Sequence, residues 1–238
     1  MPPTIVLVHG AFADSSSWDA VIDRLLDAGH TAVAAANPLR GVAIDAAGVS
    51  DLVRSIEGPV VLVAHSYGGA VISNVDRDAG DIAALVYCNG FAPDDGESAF
   101  QLAGMFPGST LGEDTLNPVA LSNGATDLYI RQERFHELFC ADAPPSQAAR
   151  MAATQRPATQ EALVEGSGER PLWKDMPSWF LIGEEDRIIP AALQRYMAER
   201  ALAQRIVEIP GASHGISISQ PEATAQLILE AAAARVHA

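Results

Sequence analysis

The sequence is short of cysteine, of positive charge and of long apolar runs, and each shortage excludes a class of protein. Only two cysteines, Cys88 and Cys140, occur in 238 residues. They form no disulfide framework, and their spacing matches no zinc pattern. Cys88 lies in an apolar run and reads as a small buried hydrophobe. Lysine and arginine number 15 against 30 aspartates and glutamates, giving a net charge of −15 and a pI of about 4.6. Such a surface is repelled by phosphate backbones and anionic lipid, so neither nucleic acid nor membrane is an expected partner. No apolar run approaches the roughly 20 residues that span a bilayer. No cationic stretch leading into an apolar one opens the chain, so no signal peptide is expected and a cytoplasmic location is the default. The patterns G-x-x-x-x-G-K-[ST], G-x-G-x-x-G and H-E-x-x-H are all missing, which removes phosphate-cradling loops and a helical metal site. There is no internal repeat.

What is present is a regular alternation. Short apolar runs stand at Ile5 to Val8, Thr31 to Ala35, Val60 to Val63, Ile82 to Tyr87, Trp179 to Ile182 and Ile206 to Ile209. Helical patterns separate them. Trp18, Val21, Ile22, Leu25 and Leu26 recur at the spacing of one helix face, with Ser17 as N-cap and Gly29 as stop. Residues 44–56 and the segment from Ser66 to about Arg77 also read as helix, and Pro190 starts another. Ser219 and Glu222 suggest a capping box for the last helix. Uniformly apolar strands alternating with helices predict a mostly parallel six-stranded sheet covered on both faces.

The alternation breaks between about Ala92 and Lys174, where Pro93, Pro107, Pro118, Pro144, Pro145, Pro157 and Pro171 interrupt short helical patterns. Leu128 to Phe139 is the clearest of these. Because the strand pattern resumes afterwards, the expectation is one domain over 1–238, with core 1–92 and 173–238 and a small helical cap at about 93–172.

Ala64-His65-Ser66-Tyr67-Gly68, placed between an apolar strand and a helix, has the pattern of a nucleophile elbow with Ala in place of the first Gly. A sharp strand-to-helix turn exposes Ser Oγ, and small flanking residues let the backbones approach. A bare Ser-x-Gly is common in loops, so the assignment needs partners. A serine hydroxyl needs a base to become a nucleophile. His214, after the last strand, suits that role, because imidazole both takes and returns a proton near neutral pH. His9, His30, His65, His136 and His237 are its rivals. Asp186, after the preceding strand, would fix the imidazole tautomer. Glu184, Glu185, Asp94 and Asp95 remain alternatives for the acid. The developing oxyanion needs two N–H donors. Tyr67 supplies one, and Ala11 or Phe12, in the loop after the first strand, the other.

Val8-His9-Gly10-Ala11-Phe12 with Trp18, Ala64 through Gly69, Leu85-Val86-Tyr87 through Phe91-Ala92-Pro93-Asp94, and Gly211-Ala212-Ser213-His214 together resemble the bacterial α/β-hydrolases close to the plant methylesterase and hydroxynitrile lyase group. The resemblance covers nearly the whole chain and is weakest in the cap. It implies a cofactor-free carboxylic ester hydrolase with Ser66, Asp186 and His214 as triad and Ala11 and Tyr67 as oxyanion donors. The lyases carry a Lys after the catalytic His and a Thr after the His of the first strand. Gly215 and Gly10 stand there, which favours the esterase branch. A serine nucleophile also argues against dehalogenase or epoxide hydrolase chemistry.

The expected activity is hydrolysis of a small, fairly apolar ester through an acyl-enzyme, by a monomer or a homodimer. Phe12, Phe91, Tyr129, Phe135 and Phe139 are candidates to line the pocket. The same triad would also serve acyl transfer, amide or C–C bond hydrolysis or perhydrolysis, and a non-enzymatic ligand receptor would keep the same fold.

Overall fold

The computed structural model of the chain describes residues 2–234; His237 lies outside them. Strands β1 (Thr4–Val8), β2 (Ala32–Ala35), β3 (Pro59–Ser66) and β4 (Asp81–Gly90) come first. An insertion contributes β5 (Leu116–Ala120), β6 (Thr126–Ile130) and β7 (Ala158–Thr159), and β8 (Ser178–Gly183) and β9 (Arg205–Ile209) follow. Six strands pair in the order β2-β1-β3-β4-β8-β9, all parallel.

Helices α1 (Asp19–Asp27), α2 (Val42–Arg54) and α3 (Gly68–Ser73) connect the first strands. Helices α4 (Ala99–Ala103), α5 (Gln132–Phe139), α6 (Pro145–Thr154) and α7 (Gln160–Val164) belong to the insertion. Helices α8 (Ala191–Arg200), α9 (Ile216–Ser219) and α10 (Pro221–Ala234) complete the chain. The two-residue period of a strand sorts the apolar side chains into two layers. Ile5, Leu7, Val61, Val63 and Val86 pack with α1, α9 and α10, whereas Val6, Val8, Leu62, Leu85 and Tyr87 pack with α2, α3 and α8. Each fully buried side chain of this size contributes roughly 1.5–3 kcal/mol. No helix among the described residues is long and apolar enough to cross a membrane.

The chain leaves β1 toward β2 on one side and returns to β3 on the other. That reversal opens a crevice at the C-terminal ends of β1 and β3, where open α/β sheets place their sites.

Four local expectations are corrected. The 128–139 segment is strand then helix: β6 pairs antiparallel with β5 and β7, and α5 starts only at Gln132. Leu128 shares the i, i+7 spacing of Phe135 by coincidence, and the two-residue pattern of β6 is hidden beside it. The insertion is therefore a small antiparallel sheet with helices. Ser17 sits inside a 3-10 turn (Ser15–Trp18) whose cap is Asp14, accepting from Ser16 N at 2.8 Å. The helix after Ser66 stops at Ser73, short of Arg77. The capping box before α10 does not form, because Ser219 Oγ donates to Gly215 O and the Glu222 carboxylate pairs with Arg24 at 2.7 Å.

Candidate active site

Ser66 ends β3 with φ +54°, a left-handed conformation that costs a non-glycine residue on the order of 1–3 kcal/mol and persists where packing imposes it. The packing is visible. A Cβ on Gly10 would fall 2.5 Å from Ser66 Cβ, and one on Gly69 would fall 2.2 Å from the Phe91 carbonyl oxygen. The β1 loop and the end of β4 thus close on the elbow, and the glycines are what permit it. Ser66 keeps 4% of its surface and lines a cavity of about 630 Å³.

His214 is fully buried in the loop after β9. Its Nδ1 lies 2.9 Å from Asp186 Oδ2. Its Nε2 is buried and has no hydrogen-bond partner among the described residues, so the bond to the Ser66 hydroxyl is not made. The loop carrying it is held from both sides. Ser213 Oγ donates to Asp142 of the insertion, and Gly215 N donates to Phe139 O at 2.5 Å. His65 Nε2–H donates to His214 O at 2.9 Å.

The other described histidines are engaged elsewhere. His9 Nδ1 faces Gly10 O, His30 faces Pro3 O and His136 Nε2 faces Ala143 O. Burial lowers the pKa of His9, and it lowers that of His65 much further, with the adjacent His214 adding to it. Among the described residues, His214 is the one histidine bonded to a carboxylate. Of the rival acids, Glu184, Glu185 and Asp95 are exposed and Asp94 pairs with Lys174.

The amide N–H of Phe12 is taken by Arg156 O at 3.0 Å. Those of Ala11 and Tyr67 have no acceptor among the described residues, which leaves them available to an oxyanion. The Tyr67 phenol donates to the buried Asp45 carboxylate at 2.9 Å. Burial raises the pKa of both groups, and the Asp45 charge raises that of Tyr67 further. Burial also pushes the Cys88 and Cys140 thiols up to about 12, so neither is a reactive thiolate at neutral pH. No cluster of His, Cys, Asp and Glu among the described residues is arranged to hold a metal ion.

The cavity brings together Ala11, Phe12, Ser66, Tyr67 and Phe91. Its opposite wall is α4 and the loop after it, with Phe100, Met105, Phe106 and Leu111, and among the described residues no charged one lines it. Three expected lining residues lie elsewhere. Tyr129 faces a separate groove beside Arg131 and Glu133. Phe135 is fully buried and stacks on Phe139 at 4.9 Å. Phe139 sets its ring edge-on against His214 at 5.1 Å and His65 at 5.7 Å, behind the histidine. Helical spacing in α5 marked these rings as buried, and spacing cannot tell core from pocket. The 100–111 wall had no periodic signal; its only mark was a run of apolar residues between prolines. Asp45 and Gln194 also escaped notice, since polar residues inside helices carry no sequence mark of burial.

Comparison with known proteins shows what the chain is similar to. A pyrethroid hydrolase from Sphingobium wenxiniae is 29% identical over 246 residues, covering 95% of this chain and 86% of that protein. The crystal structure of polyneuridine aldehyde esterase superposes with a TM-score of 0.78 at 18% identity, covering 97% of this chain and 99% of the other. An extracellular hydrolase from a Paenibacillus species, described as sharing structural and functional homology with tobacco salicylic acid binding protein 2, superposes at 0.77 and 24% identity, covering 97% and 99%. The family model of alpha/beta hydrolases matches residues 5–227, from the first strand through the elbow to the last helix, and the chain belongs to that family.

Proposed function

We propose that this protein hydrolyses neutral, apolar carboxylic esters through an acyl-enzyme, with Ser66 as nucleophile, His214 as base and Asp186 as the acid that orients it. The observation that carries this reading is the buried Asp186–His214 pair, with Nε2 left unclaimed, at the sheet end where a strained Ser66 meets the cavity.

In this reading His214 Nε2 takes the Ser66 proton as Oγ attacks the ester carbonyl. The charge that develops on the carbonyl oxygen falls to the Ala11 and Tyr67 N–H groups. Asp186 stabilises the imidazolium, which then returns the proton to the departing alkoxide as the C–O bond breaks. A water, deprotonated by the same histidine, releases the acid and restores Ser66. Hydrogen bonds between base and nucleophile that are unmade without substrate tighten once it binds.

Substrate class follows from the wall. A volume of about 630 Å³ exceeds what a small acyl group needs and falls within the roughly 300–1,000 Å³ of pockets for drug-sized molecules. Without charged lining, the site does not compensate for stripping water from an ionic substrate. The pyrethroid hydrolase relative supports ester hydrolysis. Gly215 supports hydrolysis over lyase chemistry: a side chain there would meet Phe139 O at 3.0 Å and Cys140 Cβ at 3.1 Å.

Turnover of p-nitrophenyl esters of graded acyl length, by the wild type and by Ser66→Ala, tests the assignment. Hydrolysis by the wild type with loss on the order of a thousandfold or more in the folded variant is expected. A fully active Ser66→Ala would overturn it. Binding of apolar esters without turnover would point instead to a receptor.

A further inference from the structure

We propose that Asn89 is a positioning residue, which locks the His214 loop to the ends of the nucleophile and acid strands. The proposal rests on the triad reading above. It begins with a break in strand register. His65 pairs with Cys88 and Ser66 pairs with Gly90, so Asn89 is an extra residue in β4 opposite the elbow. Such a bulge bends the strand and re-aims a side chain, and bulges favour the neighbourhood of active sites. Asn89 takes φ +44°, a left-handed conformation that asparagine tolerates better than most residues.

The re-aimed side chain is fully buried and spends every polar group it has. Its Nδ2 donates to Ser213 O at 2.8 Å and to His214 O at 3.0 Å. Its Oδ1 accepts from Gly183 N at 2.6 Å. One amide therefore ties three segments: the end of β4, the end of β8 three residues before Asp186, and the peptide that carries the base. His65 and Ile216 N also donate to His214 O, at 2.9 and 2.8 Å. His65 links the base only to the strand of Ser66, and Ile216 only to its own turn. Of these three donors to the His214 carbonyl, Asn89 is the one whose side chain also holds the end of β8, where Glu185 N donating to Ala212 O at 3.0 Å adds a second tie to the same loop.

The imidazole has no hydrogen bond at Nε2 to hold it near Ser66. Its reach is set by Asp186 and by the backbone that Asn89 fixes. A displacement of about 1 Å at such a site costs on the order of a hundredfold in rate. Simple satisfaction of buried carbonyls would predict a loss of stability instead, with the chemistry intact.

The test compares Asn89→Gly and Asn89→Asp with the wild type on one p-nitrophenyl ester, beside Ser66→Ala as control. Glycine accepts the left-handed backbone and removes the amide. Aspartate keeps the acceptor for Gly183 N and turns an oxygen toward two carbonyls. Both are expected to lower kcat by roughly ten- to a hundredfold with KM little changed. In a His214→Gln background, Asn89→Gly is expected to lower the residual rate no further, since residues acting as a unit are not additive. A wild-type kcat for Asn89→Gly, or for Asn89→Asp if the glycine variant does not fold, overturns the positioning role while an inactive Ser66→Ala leaves the triad reading standing. A full additional loss in the His214→Gln background also overturns it. An active Ser66→Ala overturns both.

Discussion

The Asp186 carboxylate reaches His214 with the same oxygen that Gln194 holds. Oδ2 lies 2.9 Å from His214 Nδ1 and 3.0 Å from Gln194 Nε2, while Oδ1 accepts from Ile188 N and Ile189 N at 2.8 and 2.9 Å. Four donors fix an acceptor-only group, and that fixes which nitrogen of His214 carries the proton. Asp186→Asn places a donor against that N–H and favours the wrong tautomer. It is expected to lower kcat about ten-thousandfold, as the same change does in serine proteases. Asp94→Asn and Asp95→Asn, at surface carboxylates, are expected to change it little. Steady-state rates of the three variants decide, and a larger loss at Asp95 would move the acid to β4.

How far the sequence foretold this arrangement depends on how local each determinant is. The strand order of Ser66, Asp186 and His214 was legible because each residue directly follows an apolar run, and parallel sheets gather those ends. For the second oxyanion donor the residues alone left Ala11 or Phe12, and the family resemblance implied Ala11. The carbonyl of Arg156, far away in sequence, takes the Phe12 amide, which supports Ala11. Asn89 lies beyond the apolar run Ile82 to Tyr87 and carried no mark, since a bulge is defined by the register of two strands and not by one. The insertion was the least legible part. Its β6 is stabilised by non-local links, among them the Arg40 guanidinium on Asp127 at 2.6 Å, which periodicity does not record.

The pH dependence of rate and of stability arise from different histidines. The rate is expected to fall on acidification, because a general base acts only in its unprotonated form. His65 and His9 are held neutral by burial, so they should add no second step near neutrality. They act on stability instead. Below the ordinary imidazole value of about 6.5 the unfolded chain binds protons that the folded chain refuses, so stability falls as pH falls. Asp45, raised by burial, opposes this, because its folded form takes a proton more readily. Unfolding midpoints between pH 7.5 and 5 for the wild type and His65→Gln isolate the histidine contribution. The decline should be shallower in the variant, and equal slopes would refute the assignment.

The Tyr67 phenol and Asp45 depend on each other. Asp45 also accepts from Arg40 N at 3.1 Å, but among the described residues no basic side chain is bonded to it. Tyr67→Phe leaves that buried carboxylate a donor short, at a cost of about 1–3 kcal/mol. Protonated Asp45 has less need of the donor, so the deficit should narrow from pH 8 to pH 5. Urea unfolding at both values measures it. A deficit that grows on acidification would show that Asp45 is not the group affected.

Selectivity should lie in the 100–111 wall and not in the α5 rings. Phe100 and Met105 line the cavity while 69% and 50% exposed, so truncating them removes contact with substrate and little core packing. Phe100→Ala and Met105→Ala are expected to shift relative kcat/KM along a series of esters by roughly 1–3 kcal/mol per lost contact, most for the bulkiest acyl groups, with unfolding midpoints near wild type. Phe135, fully buried against Phe139, is the contrast. Phe135→Ala is expected to cost about 3–5 kcal/mol of stability through the cavity it leaves, with the order of preferred esters unchanged. The measurement is kcat/KM over graded chain lengths together with chemical denaturation of each variant. A reordered preference in Phe135→Ala, with none in Phe100→Ala or Met105→Ala, would place the acyl group beneath α5 and refute the assignment of the cavity wall.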